Sequence, residues 1–143
     1  SMSSFVKTSG GRGLHIYVPV KPEYNYDQIQ QVVKNIEQHV HQKQKKITSF
    51  ERSPSKRKGK IYLDYLQNGK GKTMASGYSL RPREGAGIST PLYWDEVNHD
   101  LDPKQFNFRT IRDRLKEKGD LWSKFFDSRA DLKALIQSSS SKT

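Results

Sequence analysis

The sequence predicts an α+β fold in which an antiparallel or mixed sheet is flanked by helices. Three observations lead there: a period-two apolar run at residues 14–20, a period-3.6 run at 29–40, and a second strand-like run ending in a turn dipeptide at 60–69. The 143 residues suit one domain or part of one.

Taken in order, residues 1–13 are rich in Gly and Ser and read as a loop; Ser1 ahead of Met2 looks like a residue left before a start codon. In the run that follows, Leu14, Ile16, Val18 and Val20 share one face while His15 and Tyr17 occupy the other, the pattern of a half-buried strand. Asp27 and Gln30 have capping-box spacing. Ile29, Val32, Val33, Ile36 and Val40 then mark the apolar face of a helix ending near Gln42. Residues 43–60 carry eight Lys or Arg against the single acid Glu51, and Ser53-Pro54-Ser55 among them predicts an exposed turn or loop. Residues 60–66 read as a strand, with Ile61, Leu63 and Tyr65 on one face and Tyr62, Asp64 and Leu66 on the other. Asn68-Gly69 is a hairpin signal, and 72–79 reads as the antiparallel partner. Beyond Pro91 the pattern is helical in short pieces. Asp102-Pro103 supplies a cap and an N1 proline, and Thr110 with Asp113 marks a further start. Residues 1–136 form the folded stretch in this reading, and the Ser-rich residues 137–143 a disordered tail.

Charge narrows the partners. Lys and Arg number 26 against 15 acids, a formal net charge of +11. Such a surplus favours a polyanion, because each neutralised phosphate releases condensed counterions; plain solubility is the rival explanation. The absence of cysteine excludes disulfides and thiolate metal sites and agrees with a reducing, cytoplasmic setting. No apolar run approaches the ~20 residues a membrane span requires, and no secretory h-region is visible, so no membrane partner is expected.

Three clusters carry chemistry. In the first, residues 7–15, glycines let backbone N–H groups turn toward an anion; Lys7 and Arg12 add charge, Ser9 a hydroxyl and His15 an imidazole. A flexible loop followed by a structural histidine is the alternative. In the second, Asp64 sits within an apolar strand, where a carboxylate needs a partner: a divalent metal, an arginine or a backbone cap. In the third, Arg81-Pro82-Arg83 holds two guanidinium groups apart in a form suited to bidentate phosphate contacts, or else is a solvated charge pair. Asp100-Leu101-Asp102 has the spacing of a two-metal motif, but Asp102 is better explained as a helix cap before Pro103.

The order of these clusters carries more than any one of them. KTSGGRGLHIYVPV, ERSPSKRKGKIYLDYLQN and YSLRPREGAGISTPLYWDEV together resemble the primase-polymerase domain of bacterial DNA ligase D, a member of the archaeo-eukaryotic primase superfamily. The resemblance runs from about Ser4 to Trp122. It implies the C-terminal half of a primase-like palm, acting in double-strand break repair by non-homologous end joining. It also implies that Ser9 and His15 contact the phosphates of an incoming NTP or dNTP. Arg81 and Arg83 would hold the triphosphate or position the site, and Asp64 would be the last of three aspartates binding Mn2+ or Mg2+. The basic stretch, with Arg52, Lys56, Arg57 and Lys58, would then be available to a DNA backbone.

The family's paired aspartates precede the KTSGG motif, and residues 1–7 contain none. The expectation is therefore a nucleotidyltransferase site incomplete in this chain and inactive alone, with a separate N-terminal half or a second copy as partner and DNA ends as substrate. A non-catalytic basic DNA-binding module is the alternative. Ala75-Ser76-Gly77-Tyr78 also departs from the more apolar strand of the family, which leaves the placement of Arg81 open. No ligase nucleotidyl-lysine motif is visible, so no ligation is expected. A bacterial cytoplasmic, nucleoid-associated location follows from the resemblance.

Overall fold

Asn25 starts the longest helix: its side chain accepts from the Gln28 N–H while the Gln28 side chain accepts from the Asn25 N–H, each at 2.9 Å. The computed structural model describes residues 2–140, with side chains through Gln137. Its first elements are β1 (Phe5–Thr8), β2 (Leu14–Tyr17), α1 (Tyr26–Lys43), β3 (Thr48–Ser49) and α2 (Pro54–Arg57). Then come β4 (Ile61–Tyr62), β5 (Pro91–Leu92), α3 (Ile111–Lys118) and α4 (Lys133–Ser140), with 3-10 turns between them. This is the α+β architecture the sequence predicts. The chain divides into two compact units: residues up to Lys21 with Met74–Ala130, and Pro22–Thr73 with the segment from Asp131.

In the first unit β1 is the central strand of an antiparallel sheet ordered β2-β1-β5. Its two faces differ. Val6 packs with Leu92 and Phe106 in a buried cluster edged by Val97 and Leu101. On the opposite face Phe5 and Tyr17, paired across β1 and β2, meet Trp122 and Phe125 at ring-centroid distances of 5.0–6.2 Å. Beside the sheet, Arg114 of α3 forms a forked pair with Glu96, 2.7 Å to each oxygen, and donates to the Pro91 carbonyl at 3.0 Å.

The expected orientation of the first apolar run is inverted. Leu14 and Ile16 are 39% and 62% exposed, while His15 and Tyr17 are half-buried, and the strand stops at Tyr17 rather than Val20. β2 is an edge strand, and register pairs His15 with Lys7 and Tyr17 with Phe5. Those residues meet the aromatic cluster, whereas the apolar core on the other face is built from β1, β5 and Phe106.

In the second unit α1 begins two residues earlier than the predicted Asp27–Gln30 box and ends at Lys43, close to expectation. Val32 is its buried residue. The predicted strand at 60–66 is reduced to β4, which pairs in parallel with β3. No hairpin forms at Asn68-Gly69: Tyr65–Asn68 is a 3-10 turn, and 72–79 lies outside any strand. Tertiary partners took the groups a hairpin needs. The Tyr65 N–H donates to the Glu37 carboxylate at 3.0 Å, and the Gln67 side chain donates to the Thr73 carbonyl at 2.7 Å. Asp102 caps its turn by accepting from the Lys104 N–H, as predicted. α4 runs to Ser140, so the tail expected from Gln137 begins inside a helix; residues 141–143 lie outside the described residues. No helix among the described residues is long and apolar enough to cross a membrane.

Candidate functional site

The loop between β1 and β2 is closed by its own serine. Ser9 Oγ accepts from the N–H groups of Gly11 and Gly13 at 3.1 and 3.2 Å, and the Ser9 N–H donates to the Gly13 carbonyl at 2.8 Å. The expectation that glycine N–H groups face an anion is therefore corrected at Gly11 and Gly13, which are committed to Ser9. The Ser9 hydroxyl keeps its proton available to donate. Arg12 is exposed at the loop tip.

Glycine is required here for close approach. Gly10 has φ +71°, and a methyl on it would lie 2.3 Å from Arg81 Cγ; one on Gly11 would lie 3.1 Å from Arg83 Nη1. Gly87 also comes close, since a methyl there would sit 2.8 Å from the Gly10 carbonyl oxygen. The two arginines thus rest on the glycine loop. Their own segment is held by the Arg81 N–H to the Gly87 carbonyl at 2.9 Å and the Arg83 N–H to the Arg81 carbonyl at 2.8 Å. Arg81 Nε is buried without a hydrogen-bond partner, and the Arg83 side chain is exposed.

Behind the loop, Lys7 has no exposed surface. Its ammonium donates to Ser89 Oγ and lies 3.1 Å from His15 Nδ1. Burial, and then the neighbouring Arg81 charge, lowers the Lys7 pKa to about 8. As a direct phosphate ligand, its expected role, Lys7 is misplaced: its side chain lies on a covered face of the sheet, against the Tyr17 ring, Ser89 and His15. Ser89 and its neighbour Thr90 are also fully buried. Ser89 escaped the sequence reading, although two hydroxyl residues amid Ile88, Pro91 and Leu92 are a usable signal. Among the described residues no ion pair neutralises Lys7, Arg81 or Arg83.

Asp64 belongs to the second unit, half-buried at the start of the Tyr65–Asn68 turn, where it accepts from the Tyr62 hydroxyl at 3.2 Å. Glu37 of α1 is its unforeseen neighbour. Burial pushes the Glu37 carboxyl up to about 7, with the Asp64 charge adding to the rise and the Tyr65 and Asp64 N–H groups opposing it. Its position within the Val33–Val40 apolar stripe was the available clue. Of the basic residues, Arg57 lies 4.7 Å from the Tyr62 ring centroid, and Arg52, Lys56 and Lys58 are exposed.

Residues 1–122 match the family model described as LigD, primase-polymerase domain. The chain belongs to this family. It is 32% identical over 138 residues to the multifunctional non-homologous end joining protein LigD of Pseudomonas aeruginosa, covering 95% of this chain and 16% of that protein. It is 36% identical over 127 residues to the bifunctional LigD of Bacillus subtilis, covering 88% of this chain and 20% of that protein. Among solved structures, the polymerase domain of Mycobacterium tuberculosis ligase D in complex with DNA superposes with a TM-score of 0.80 at 27% identity, covering 91% of this chain and 45% of that one. The chain thus spans less than half of the solved LigD domain. A primase-like fold follows from that superposition.

LigD polymerase domains are metal-dependent as a family. The described residues contain no group of three or more His, Cys, Asp or Glu placed to hold a metal ion. Two-metal chemistry needs carboxylates bridging ions ~3.5–4 Å apart. The described residues do not by themselves fit such a centre.

Proposed function

We propose that this chain supplies the triphosphate-holding part of a nucleotidyltransferase that extends DNA ends in non-homologous end joining. Ser9, His15, Arg81 and Arg83 contact the phosphates of an NTP or dNTP, and Arg12 adds charge at the loop tip. One observation supports the reading: Lys7, Arg81 and Arg83 gather at a glycine loop with no carboxylate paired to them among the described residues. Such an uncompensated cluster is relieved by an anion, and guanidinium forks suit phosphate oxygens. Asp64 is the carboxylate this chain would bring to a Mn2+ or Mg2+ centre completed by other residues, from a further polymerase segment or a second copy. The relatives' names support a bacterial DNA-repair setting, and a place in the cytoplasm at the nucleoid belongs to the same proposal.

Titration calorimetry of the chain with inorganic triphosphate and with ATP tests the assignment. Arg83→Ala is expected to weaken both by about tenfold, the equivalent of one charge-assisted contact. It should leave stability unchanged, because the side chain is exposed. Equal affinity in parent and variant removes Arg83 from the site.

A basic DNA-binding module is the second reading, favoured by exposed Arg52, Lys56 and Lys58 beside the Arg57–Tyr62 stack. Under it, duplex DNA affinity falls steeply with salt, and the double variant Lys56→Ala/Lys58→Ala lowers the logarithmic salt slope by about 2 without sequence preference. An unchanged slope takes these lysines off the DNA.

A further inference from the structure

Shortly ahead of Arg81 the backbone takes an unfavourable torsion. Tyr78 has φ +62°, a left-handed conformation that a bulky side chain rarely adopts and that persists only where its surroundings impose it. Both ends of the residue are tied. Its N–H donates to the Ser89 carbonyl at 2.7 Å. Its hydroxyl donates to Asp120 Oδ1 at 3.0 Å and accepts from the Leu121 N–H at 3.3 Å. Asp120 is held in turn, since the same oxygen accepts from the Trp122 N–H at 2.9 Å, just beyond the end of α3. Burial first, then the bond to Asp120, pushes the Tyr78 hydroxyl up to about 12, so at neutral pH it keeps the proton it donates. From this turn the chain leads directly to the glycine loop. The Ser79 carbonyl accepts from the Ser89 N–H at 3.0 Å, Leu80 bridges Ile88, and the Arg81 N–H reaches the Gly87 carbonyl at 2.9 Å. The direction fixed at Tyr78 is therefore the direction from which Arg81 arrives against Gly10.

We propose that Tyr78 is a positioning residue whose hydroxyl, latched to Asp120, holds the left-handed turn that seats Arg81 on the glycine loop. Tyr78 acts through Arg81, because its own hydroxyl is engaged by Asp120 and Leu121. With the latch open, one of the two ties on an unfavourable torsion is gone, and relaxation toward negative φ turns residues 79–81 away from Gly10. The effect on phosphate binding rests on the triphosphate reading of the loop; the seating of Arg81 does not.

The experiment is 1H–15N correlation NMR of the arginine Nε–H groups in the 15N-labelled chain, with Arg81 identified by the signal missing in Arg81→Lys. Arg81 Nε is buried without a hydrogen-bond partner, so its signal in the parent is expected to be protected from solvent exchange. In Tyr78→Phe and in Asp120→Ala the signal shifts and exchanges faster, and calorimetry shows inorganic triphosphate bound about tenfold more weakly. The Tyr78→Phe/Asp120→Ala double variant is no worse than either single one. Asp120→Asn, which keeps an oxygen for the hydroxyl and the Trp122 N–H, retains the parental signal and affinity. An Arg81 signal unmoved in folded Tyr78→Phe overturns the proposal. Should that variant not fold, an unmoved signal in Asp120→Ala overturns it, because that carboxylate is exposed and its loss tolerable. Additive losses in the double variant overturn it too, since each group would then act separately. A displaced Arg81 signal, with triphosphate affinity unchanged or absent from the parent, upholds the latch and overturns the phosphate role of Arg81.

Discussion

Gly10→Ala is expected to lower the stability of the first unit by roughly 3 kcal/mol and to weaken triphosphate binding by more than tenfold. Two costs combine. A left-handed backbone at φ +71° disfavours any Cβ, and the new methyl would lie 2.3 Å from Arg81 Cγ. Arg81 cannot swing aside at its far end, because the clash is near its root and Nε is already buried. Moving it shifts the guanidinium from the loop, so stability and binding fall together. Urea unfolding followed by tryptophan fluorescence reports on this unit, since Trp94 and Trp122 both belong to it and are the chain's two tryptophans. A variant with parental stability and affinity would show that the loop does not seat Arg81.

Arg114→Ala is expected to cost about 2–4 kcal/mol by the same measurement. The Arg114 side chain is 13% exposed and its Glu96 partner 22%, so removal takes the forked partner from a largely desolvated carboxylate and leaves it Lys118 at 3.8 Å and the Tyr93 N–H. It also releases the Pro91 carbonyl and a cation held 5.1 Å from the Phe106 ring centroid. β5 pairs with β1 through Pro91 and Lys7, so the loss propagates toward the loop. The hydrogen bonds from Arg114 hold the Glu96 carboxyl below the usual carboxylate range, against the opposing effect of burial. A depressed carboxylate stabilises the fold above its unfolded value, ~4.3, and that stability is lost as pH falls through the folded value. The parent should therefore weaken on acidification below about pH 4.5, and Arg114→Ala should lose that part of the dependence. Parallel acid limbs in the two proteins would place the linkage on other groups.

Local readings succeeded where the decisive contacts are local. The span of α1 and the Asp102 cap rest on neighbours within one turn, and α3 starts at Ile111 as expected, though without a side-chain cap from Thr110. The expected apolar face of α1 is only partly covered: Val32 is buried, but Ile36 and Val40 are 42% and 40% exposed. The Asn68-Gly69 hairpin failed because Glu37, 28 residues upstream of Tyr65, claimed a backbone donor. Similarly, the burial of His15 over Ile16 depended on which face of β1 the distant Trp122 and Phe125 cover. Alternation shows that two faces differ, but not which one is inside.

By itself the sequence determined the α+β class, the basic charge, the family, and the candidacy of Ser9, His15, Arg81 and Arg83, because residue types at fixed spacing carry that information. Only the tertiary structure decided that Arg81 and Arg83 rest on Gly10 and Gly11, that Gly11 and Gly13 N–H groups serve Ser9, and that Lys7 is buried between His15 and Ser89. The contacts of Arg81 with Gly10, Arg83 with Gly11 and Lys7 with Ser89 join positions about 70 to 80 residues apart in the chain, brought together by the pairing of β1 with β5 and the loop that precedes β5. Packing around that pairing sets their geometry, and no local pattern encodes it.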